Sequence, residues 1–497
     1  MTDRKTPEAL GLSSAGMAAM LDAWREAGLA MHSVLVVRHG EIAAEGYAPP
    51  FDKDSFHRMY SCSKSFVSAA VGALAGEGKI ALSDTIDRYF PDYVTAGTDP
   101  RVAKTRIVDL LRMASPFRRG STYRGDRDTD WVATFFRTPA DKDPGSEFCY
   151  DTSATYILDV IVERVTGMNF LEYLKEKALR RIGFSEDAWC VRAPEGYAWG
   201  GSGVMCTTRD LARFAGLLMH GGVYRGEQLL PCDYVAAATS RQIGLPVQEQ
   251  NPEYGFGYGY QIWMTAHGFA LVGMGDQFAI CVPERDLLMV CTADNQGRAE
   301  ISRPLIFRQF EEQILNRASD VPLPADAAGE EKLREALHAM EIPYQSGATD
   351  SVLSARVNGV TYYARDDKAP FSSFRWDFSK DTGTFSYDTP RGHKQIVFGI
   401  GKNVAGTLDE PQYSGHSILH PIGRGYRCLS SAAWVTPEKL ALRVQVIDWY
   451  FGNMTLTFSF EENAAVMAGR KTAEWFLNEY VADGARFDAR HEGDKRK

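Results

Sequence analysis

From His32 to Tyr47 the chain reads HSVLVVRHGEIAAEGY, two apolar runs on either side of Arg38-His39-Gly40. Runs of this kind around a glycine-containing turn predict a β-hairpin. From Ser61 the pattern changes: SKSFVSAAVGALAGEGKI places Phe66, Val67, Ala70, Val71 and Leu74 on one stripe and stops at Gly76 and Gly78, which predicts a buried helix. Residues 107–113, 131–136, 155–165, 170–178 and 210–218 repeat the helical period between Gly and Pro punctuation. Short apolar runs at 257–264, 277–282 and 287–293 predict strands, the last two joined by Pro283-Glu284-Arg285-Asp286. Strands at both ends with helices between them predict an α+β fold, one antiparallel sheet flanked by helices and interrupted by a helical insertion.

At VPLPADAAGEEK, residues 321–332, the periodicity breaks. Beyond it, residues 357–365, 373–378, 383–387, 394–399, 426–434, 440–448 and 453–461 alternate apolar and polar positions, as strands with one wet face do. The pattern therefore divides the chain into a first domain over 1–320, a linker over 321–345 and a C-terminal antiparallel β domain over 346–485, a barrel or a sandwich. A last helix is expected over 473–482, and a disordered tail over 486–497 that ends in HEGDKRK.

Composition narrows the classes of function. A chain of 497 residues exceeds what one core supports, so more than one domain is expected. A formal net charge of -9 gives no electrostatic reason to bind nucleic acid or an anionic membrane. The first 30 residues hold no uninterrupted apolar segment of the secretory kind, and no later stretch approaches the roughly 18 uncharged apolar residues of a membrane span. The eight cysteines are scattered, without a C-x-x-C pair or histidines at zinc-ligand spacing, and are read as reduced thiols of a cytoplasmic protein. Neither a metal nor an organic cofactor is expected, and the oligomeric state is not legible.

Ser61-Cys62-Ser63-Lys64 has the form S-x-x-K, which on a helix puts Ser61 and Lys64 on one face a turn apart. A serine hydroxyl needs a neighbour to take its proton, and a lysine partly withdrawn from water can do so. Composition alone yields on the order of one or two such tetrads in a chain of this length, so the context decides. Read structurally, Ser61 would cap a helix and Cys62 and Cys149 would be small apolar filler. His39, His57 and His267 are read as turn or surface residues, since no G-x-S-x-G elbow accompanies them.

The context carries a resemblance. RMYSCSKSFVSAAVGALAGEGKIALSDTIDRYFPDY, TRIVDLLRMASPF, PGSEFCYDTSATYILDVIVERVTG, GGSGVMCTTRDLARFAGLLMHGG and GDQFAICVPERDLLMVCTADN follow one another over about the first 310 residues. In this order they resemble the class C β-lactamase-like serine hydrolases, which have a penicillin-recognising fold and include esterases, amidases and D-peptidases. The resemblance implies Ser61 as acylated nucleophile, Lys64 as its proton partner, and Tyr150, at the Tyr of a Tyr-x-Asn motif, as an assisting acid or base. It also implies that Gln277 supplies a second oxyanion N–H beside that of Ser61.

Two departures bear on the substrate. Tyr150 is followed by Asp151-Thr152-Ser153, so Thr152 or Ser153 would replace the missing Asn. The third motif reads Met274-Gly275-Asp276, with no cation for a substrate carboxylate and with an acid that would repel one, unless Asp276 serves only the turn. The leading expectation is hydrolysis of a small ester or amide through an acyl-enzyme on Ser61. A β-lactamase or D-peptide hydrolase comes second, and a non-catalytic binding protein on the same fold comes third.

Overall fold

The computed structural model describes residues 5–124, 127–366, 369–412, 423–474 and 476–490. They form two compact units, one extending to Glu341 and the other beginning at Ile342. Among the described residues no helix is long and apolar enough to cross a membrane.

The first unit opens with α1 (Ser14–Glu26), capped by the Ser13 hydroxyl, which accepts from the Gly16 N–H at 3.0 Å. The hairpin follows as β1 (Met31–Arg38) and β2 (Glu41–Tyr47). Its two turn residues, His39 and Gly40, both hold positive φ, 53° and 73°, as a two-residue hairpin turn requires. The apolar stripe after Ser61 becomes α2 (Ser63–Gly76), with Phe66, Val67, Ala70, Val71 and Leu74 all buried. Gly72 lets a neighbour approach α2 closely, since a Cβ there would lie 2.4 Å from the Tyr234 ring. After the helical insertion, which includes α3 (Thr152–Thr166) and α4 (Thr208–Met219), come β3 (Trp263–Thr265), β4 (Gly268–Gly273), β5 (Gln277–Val282) and β6 (Leu287–Ala293).

The six strands make one antiparallel sheet in the order β2-β1-β6-β5-β4-β3. Strands β1, β5 and β6 are buried along their whole length, as in a sheet covered on both faces. Helix α4 packs on these three strands, whereas α1 packs against α5 (Ala299–Gln313) and α6 (Ala327–His338).

Three expectations need correction here. Residues 257–262 are loop, because Gly257 and Gln261 hold positive φ that a strand does not permit; Tyr258 makes only isolated bridges to Ile243 and Trp263, and the strand is confined to Trp263–Thr265. The segment read as a linker contains α6, whose Leu333 and Ala336 are buried; an Asp326 cap starts the helix just beyond the prolines. His57 is fully buried in a short strand paired with Cys206, its ring 5.4 Å from that of the equally buried His32.

The second unit is a β-barrel. Its strands are β7 (Thr361–Ala364), β8 (Ser373–Phe378), β9 (Thr382–Thr389), β10 (Gly392–Ile400), β11 (Val404–Gln412), β12 (Gly423–Thr436), β13 (Lys439–Ile447), β14 (Phe451–Phe460), β15 (Ala464–Thr472) and β16 (Ala482–Arg490). They run in the order β10-β9-β8-β7-β16-β15-β14-β13-β12, and a parallel pairing of Gly399 and Ile400 with Ser431 and Ala432 closes nine strands into a ring. Strand β11 pairs with β12 beside that seam. Closure removes most of the unpaired edge that an open sheet exposes.

Phe374, Trp376, Phe385, Phe458 and Phe487 fill the interior. A buried polar cluster accompanies them: Lys394 and the Tyr480 hydroxyl both donate to Glu410, and the Tyr387 and Tyr480 hydroxyls meet at 2.6 Å. The helix expected over 473–482 is replaced by a single turn, Asn478–Tyr480, that delivers Tyr480 to this cluster, after which β16 turns Ala485 and Phe487 inward. Strand β16 also takes up part of the expected tail, and HEGDKRK lies outside the described residues.

The buried histidines make stability depend on pH. Burial lowers the His57 imidazole to about 4 and holds His32 well below the ordinary 6.5. The unfolded chain therefore takes up protons first, so stability is fully present above about pH 6.5 and falls as the pH drops towards 4, by about 3 kcal/mol for His57 alone. In urea unfolding at pH 7 and pH 4, His57→Gln is expected to lose about that much less stability between the two pH values than the parent. An identical loss in both proteins would rule His57 out as the source.

Candidate active site

Ser61 lies in a single turn, Tyr60–Cys62, that leads into α2. Tyr60 enters this turn with φ of 46°, a conformation that a bulky residue adopts only when its surroundings enforce it. The enforcing contacts are visible: the Arg58 guanidinium, itself buried, lies 4.5 Å from the Tyr60 ring and 4.7 Å from that of Trp199.

Each residue of the Ser61–Lys64 tetrad has its own partner. The Lys64 side chain is 1% exposed, and its Nζ donates to Ser61 Oγ at 3.2 Å and to the Gly201 carbonyl at 2.6 Å. Cys62 Sγ donates to the Gln277 carbonyl at 3.2 Å, which ties the Ser61 turn to the start of β5. Ser63 Oγ accepts from the Val204 N–H at 3.0 Å. Cys62, read as filler, thus holds Gln277 beside Ser61.

Tyr150 completes the group. Its ring lies 5.1 Å from Lys64 Nζ and stacks on Trp263 at 5.6 Å. Burial pushes its phenol above the ordinary value, against the opposing hydrogen bond with Ser61. Asp151, fully buried, caps α3 by accepting from the Ser153 N–H at 2.9 Å and from the Ser153 hydroxyl. Ser153 is therefore engaged in the cap and in an acceptor bond from the Thr122 N–H, away from substrate. Thr152 stands at the start of α3, where its methyl packs against Gly201; a Cβ on Gly201 would lie 2.6 Å from it.

The third motif departs from its sequence reading. Met274 borders the cleft, Gly275 and Asp276 turn with φ of 78° and 73°, and the Asp276 carboxylate is 1% exposed. Asp276 turns inward, 3.4 Å from Arg303 of α5, and burial raises its carboxyl against the contacts with Ser302, Arg303 and Asn295. It therefore does not face a substrate. The Gln277 side chain is likewise occupied, donating to the Met274 and Ala293 carbonyls at 3.0 and 2.6 Å, which leaves only its backbone beside Ser61.

These elements enclose a cleft of about 580 Å³ with Ser61, Tyr150, Met274, Trp263, Tyr254 and Arg303 among its walls. Arg303 is 29% exposed, and its Nη1 donates to the Tyr254 hydroxyl at 2.7 Å. Sequence reasoning brought Ser61, Lys64, Tyr150 and Met274 to one place and missed Trp263, Tyr254 and Arg303. Nothing in their local sequence marks them, because only tertiary packing brings residues 254, 263 and 303 to the cleft beside Ser61.

With this geometry in hand, comparison with known proteins gives a consistent result. The family model described as beta-lactamase matches residues 17–309. The 6-aminohexanoate-dimer hydrolase of Paenarthrobacter ureafaciens is 32% identical over 220 residues, covering 41% of this chain and 56% of that protein. The esterase EstB of Burkholderia gladioli is 29% identical over 222 residues, covering 39% of this chain and 56% of that protein. The chain thus spans about half the length of these relatives. Among solved structures, a penicillin-binding protein homolog from Caulobacter crescentus shares the fold at a TM-score of 0.50 and 18% identity, over 62% of this chain and 97% of that one.

Because burial keeps the Tyr150 phenol above its ordinary 10.0, Tyr150 is expected to remain protonated at pH 10. The difference between ultraviolet phenolate titrations of the parent and of Tyr150→Phe reads this directly. Half-ionisation of Tyr150 at or below pH 10 would contradict it.

Proposed function

The chain belongs to the beta-lactamase family, and on that premise we propose that it is a serine hydrolase that cleaves an ester or amide bond through an acyl-enzyme on Ser61. The observation that carries this reading is the buried Lys64 Nζ, 3.2 Å from Ser61 Oγ at the wall of an open cleft. In the first half-reaction Ser61 Oγ attacks the substrate carbonyl while Lys64 accepts its proton. The oxyanion is met by the backbone N–H groups of Ser61 and Gln277, which the Cys62 bond holds together. Collapse expels the alcohol or amine, and Tyr150, still carrying its proton, relays one to it. Water then attacks the acyl-serine by the reverse route, which releases the acid and restores Ser61. Similar proteins bear the names of an amide-dimer hydrolase and an esterase, which supports acyl transfer to water as the reaction class. All eight cysteines are free thiols, which fits a reducing compartment such as the cytoplasm.

A second reading, turnover of a substrate that bears a carboxylate, such as a β-lactam or a D-peptide, is favoured by Arg303. The sequence suggested that Asp276 would repel such a group. With Asp276 buried behind it, Arg303 is the cation that lines the cleft with Met274, in company with Glu249, Glu253 and Glu300.

A fluorophosphonate is expected to label Ser61, and Ser61→Ala to lose both labelling and hydrolysis; labelling at another residue would overturn the assignment. Lys64→Ala and Tyr150→Phe are expected to lower turnover by at least about a hundredfold with the fold intact. On a matched pair of esters, one neutral and one with a distal carboxylate, Arg303→Gln is expected to lower kcat/KM for the acidic member selectively, by about fivefold and less at high salt. Equal responses of the two esters would leave Arg303 a packing residue.

A further inference from the structure

The acceptor that faces Lys64 belongs to a loop with little freedom. A Cβ on Gly200 would stand 2.4 Å from Val67 Cγ2 and 3.1 Å from Asp159 Cβ, and one on Gly201 would stand 2.6 Å from Thr152 Cγ2. The peptide between these glycines is therefore clamped between α2, which carries Val67, and α3, which carries Thr152 and Asp159. At its far end the loop is tied by Arg58, which donates to Ser202 O at 3.0 Å and to Ser202 Oγ at 2.9 Å, and by the bond from Val204 N–H to Ser63 Oγ. At its near end the Gly200 N–H donates to Asp159 Oδ2 at 3.0 Å.

Asp159 is two turns along α3 from Thr152 and completely buried, and its second oxygen has no hydrogen-bond partner among the described residues. Burial pushes its carboxyl well above the ordinary carboxylate value. A buried carboxyl with one oxygen unsatisfied costs stability that an apolar side chain would not, so packing alone does not account for it.

We propose that Asp159 is a positioning residue for Lys64: by accepting from Gly200 it fixes the Gly201 carbonyl, which in turn holds the Lys64 amine against Ser61 Oγ. The inference rests on the reading of Lys64 as proton acceptor to Ser61. What this role requires of Asp159 is an accepting oxygen of the right reach, not a charge. An amide supplies the same oxygen, whereas a methyl leaves the Gly200 N–H unpartnered and the carbonyl free to drift.

The test measures turnover of a neutral nitrophenyl ester per Ser61 labelled by fluorophosphonate, so that loss of folded protein does not enter. Asp159→Ala is expected to lower kcat about tenfold with KM changed less than about twofold, and Asp159→Asn to stay within about threefold of the parent. Should Asp159→Ala fold poorly, Asp159→Cys, close in volume and a poor acceptor, reads the same loss. Because Asp159 acts through Lys64, adding Asp159→Ala to Lys64→Ala is expected to change the residual labelling rate less than about twofold. Equal losses with and without Lys64, or Asp159→Asn as impaired as Asp159→Ala, would overturn the proposal. A parent not labelled at Ser61 would instead defeat the reading on which it rests.

Discussion

A lysine amine buried between two oxygens is the constraint around which the first unit is arranged. Lys64 Nζ has Ser61 Oγ on one side and the Gly201 carbonyl on the other, with the face of Tyr150 nearby. A polar group so withdrawn from water is tolerable only where its partners are fixed, since in a low-dielectric interior a lost partner costs far more than at the surface. That requirement accounts for the neighbours: glycines where α2 and α3 close on the loop, a buried arginine holding Ser202, and a left-handed Tyr60 that leads into Ser61. The same shell that makes burial tolerable also sets the distance between hydroxyl and amine.

Much of this could be read in the sequence where the information is local. The spacing of Ser61 and Lys64, the apolar stripe of α2 and the hairpin around His39-Gly40 are patterns within a few residues, and the structure reproduces them. In the barrel the strands with plain alternation were legible. Strand β11, with Gly406 and Pro411 in it, and the Ala- and Gly-rich β15 were not, because pairing with β12 in the one case and with β14 and β16 in the other, rather than strand propensity, orders them. The last segment misled for a related reason: Tyr480 is claimed by the buried Glu410, and that pairing lies 70 residues away.

The third motif shows why residue type in a familiar position is a weak guide to charge in a cleft. Asp276 occupies the expected place in the chain, yet its left-handed backbone turns its carboxylate inward towards Arg303. At that corner the cleft thus meets Arg303 instead of Asp276, while Glu249, Glu253 and Glu300 also line it. Trp263 and Tyr254 tell the same story, being ordinary aromatics in sequence that come to line the cleft with Ser61 through the loop at 257–262 and the packing of α5.

The strand order β2-β1-β6-β5-β4-β3 also governs when the site can exist. Ser61 leaves the ribosome early, but the strand that carries Gln277 pairs with β6, and β1 finds its inner neighbour only in β6 as well. Until synthesis has passed Ala293, the apolar flank of β1 lacks its inner neighbour, although α2 can already pack against α3 and the helix Phe170–Lys177. Such long-separation contacts make for slow closure and leave sticky intermediates exposed on the way. An N-terminal fragment carrying the whole Ser61–Lys64 tetrad therefore lacks the strand that brings Gln277 beside Ser61, and the surroundings of Ser61 are complete only once the last sheet strand has arrived.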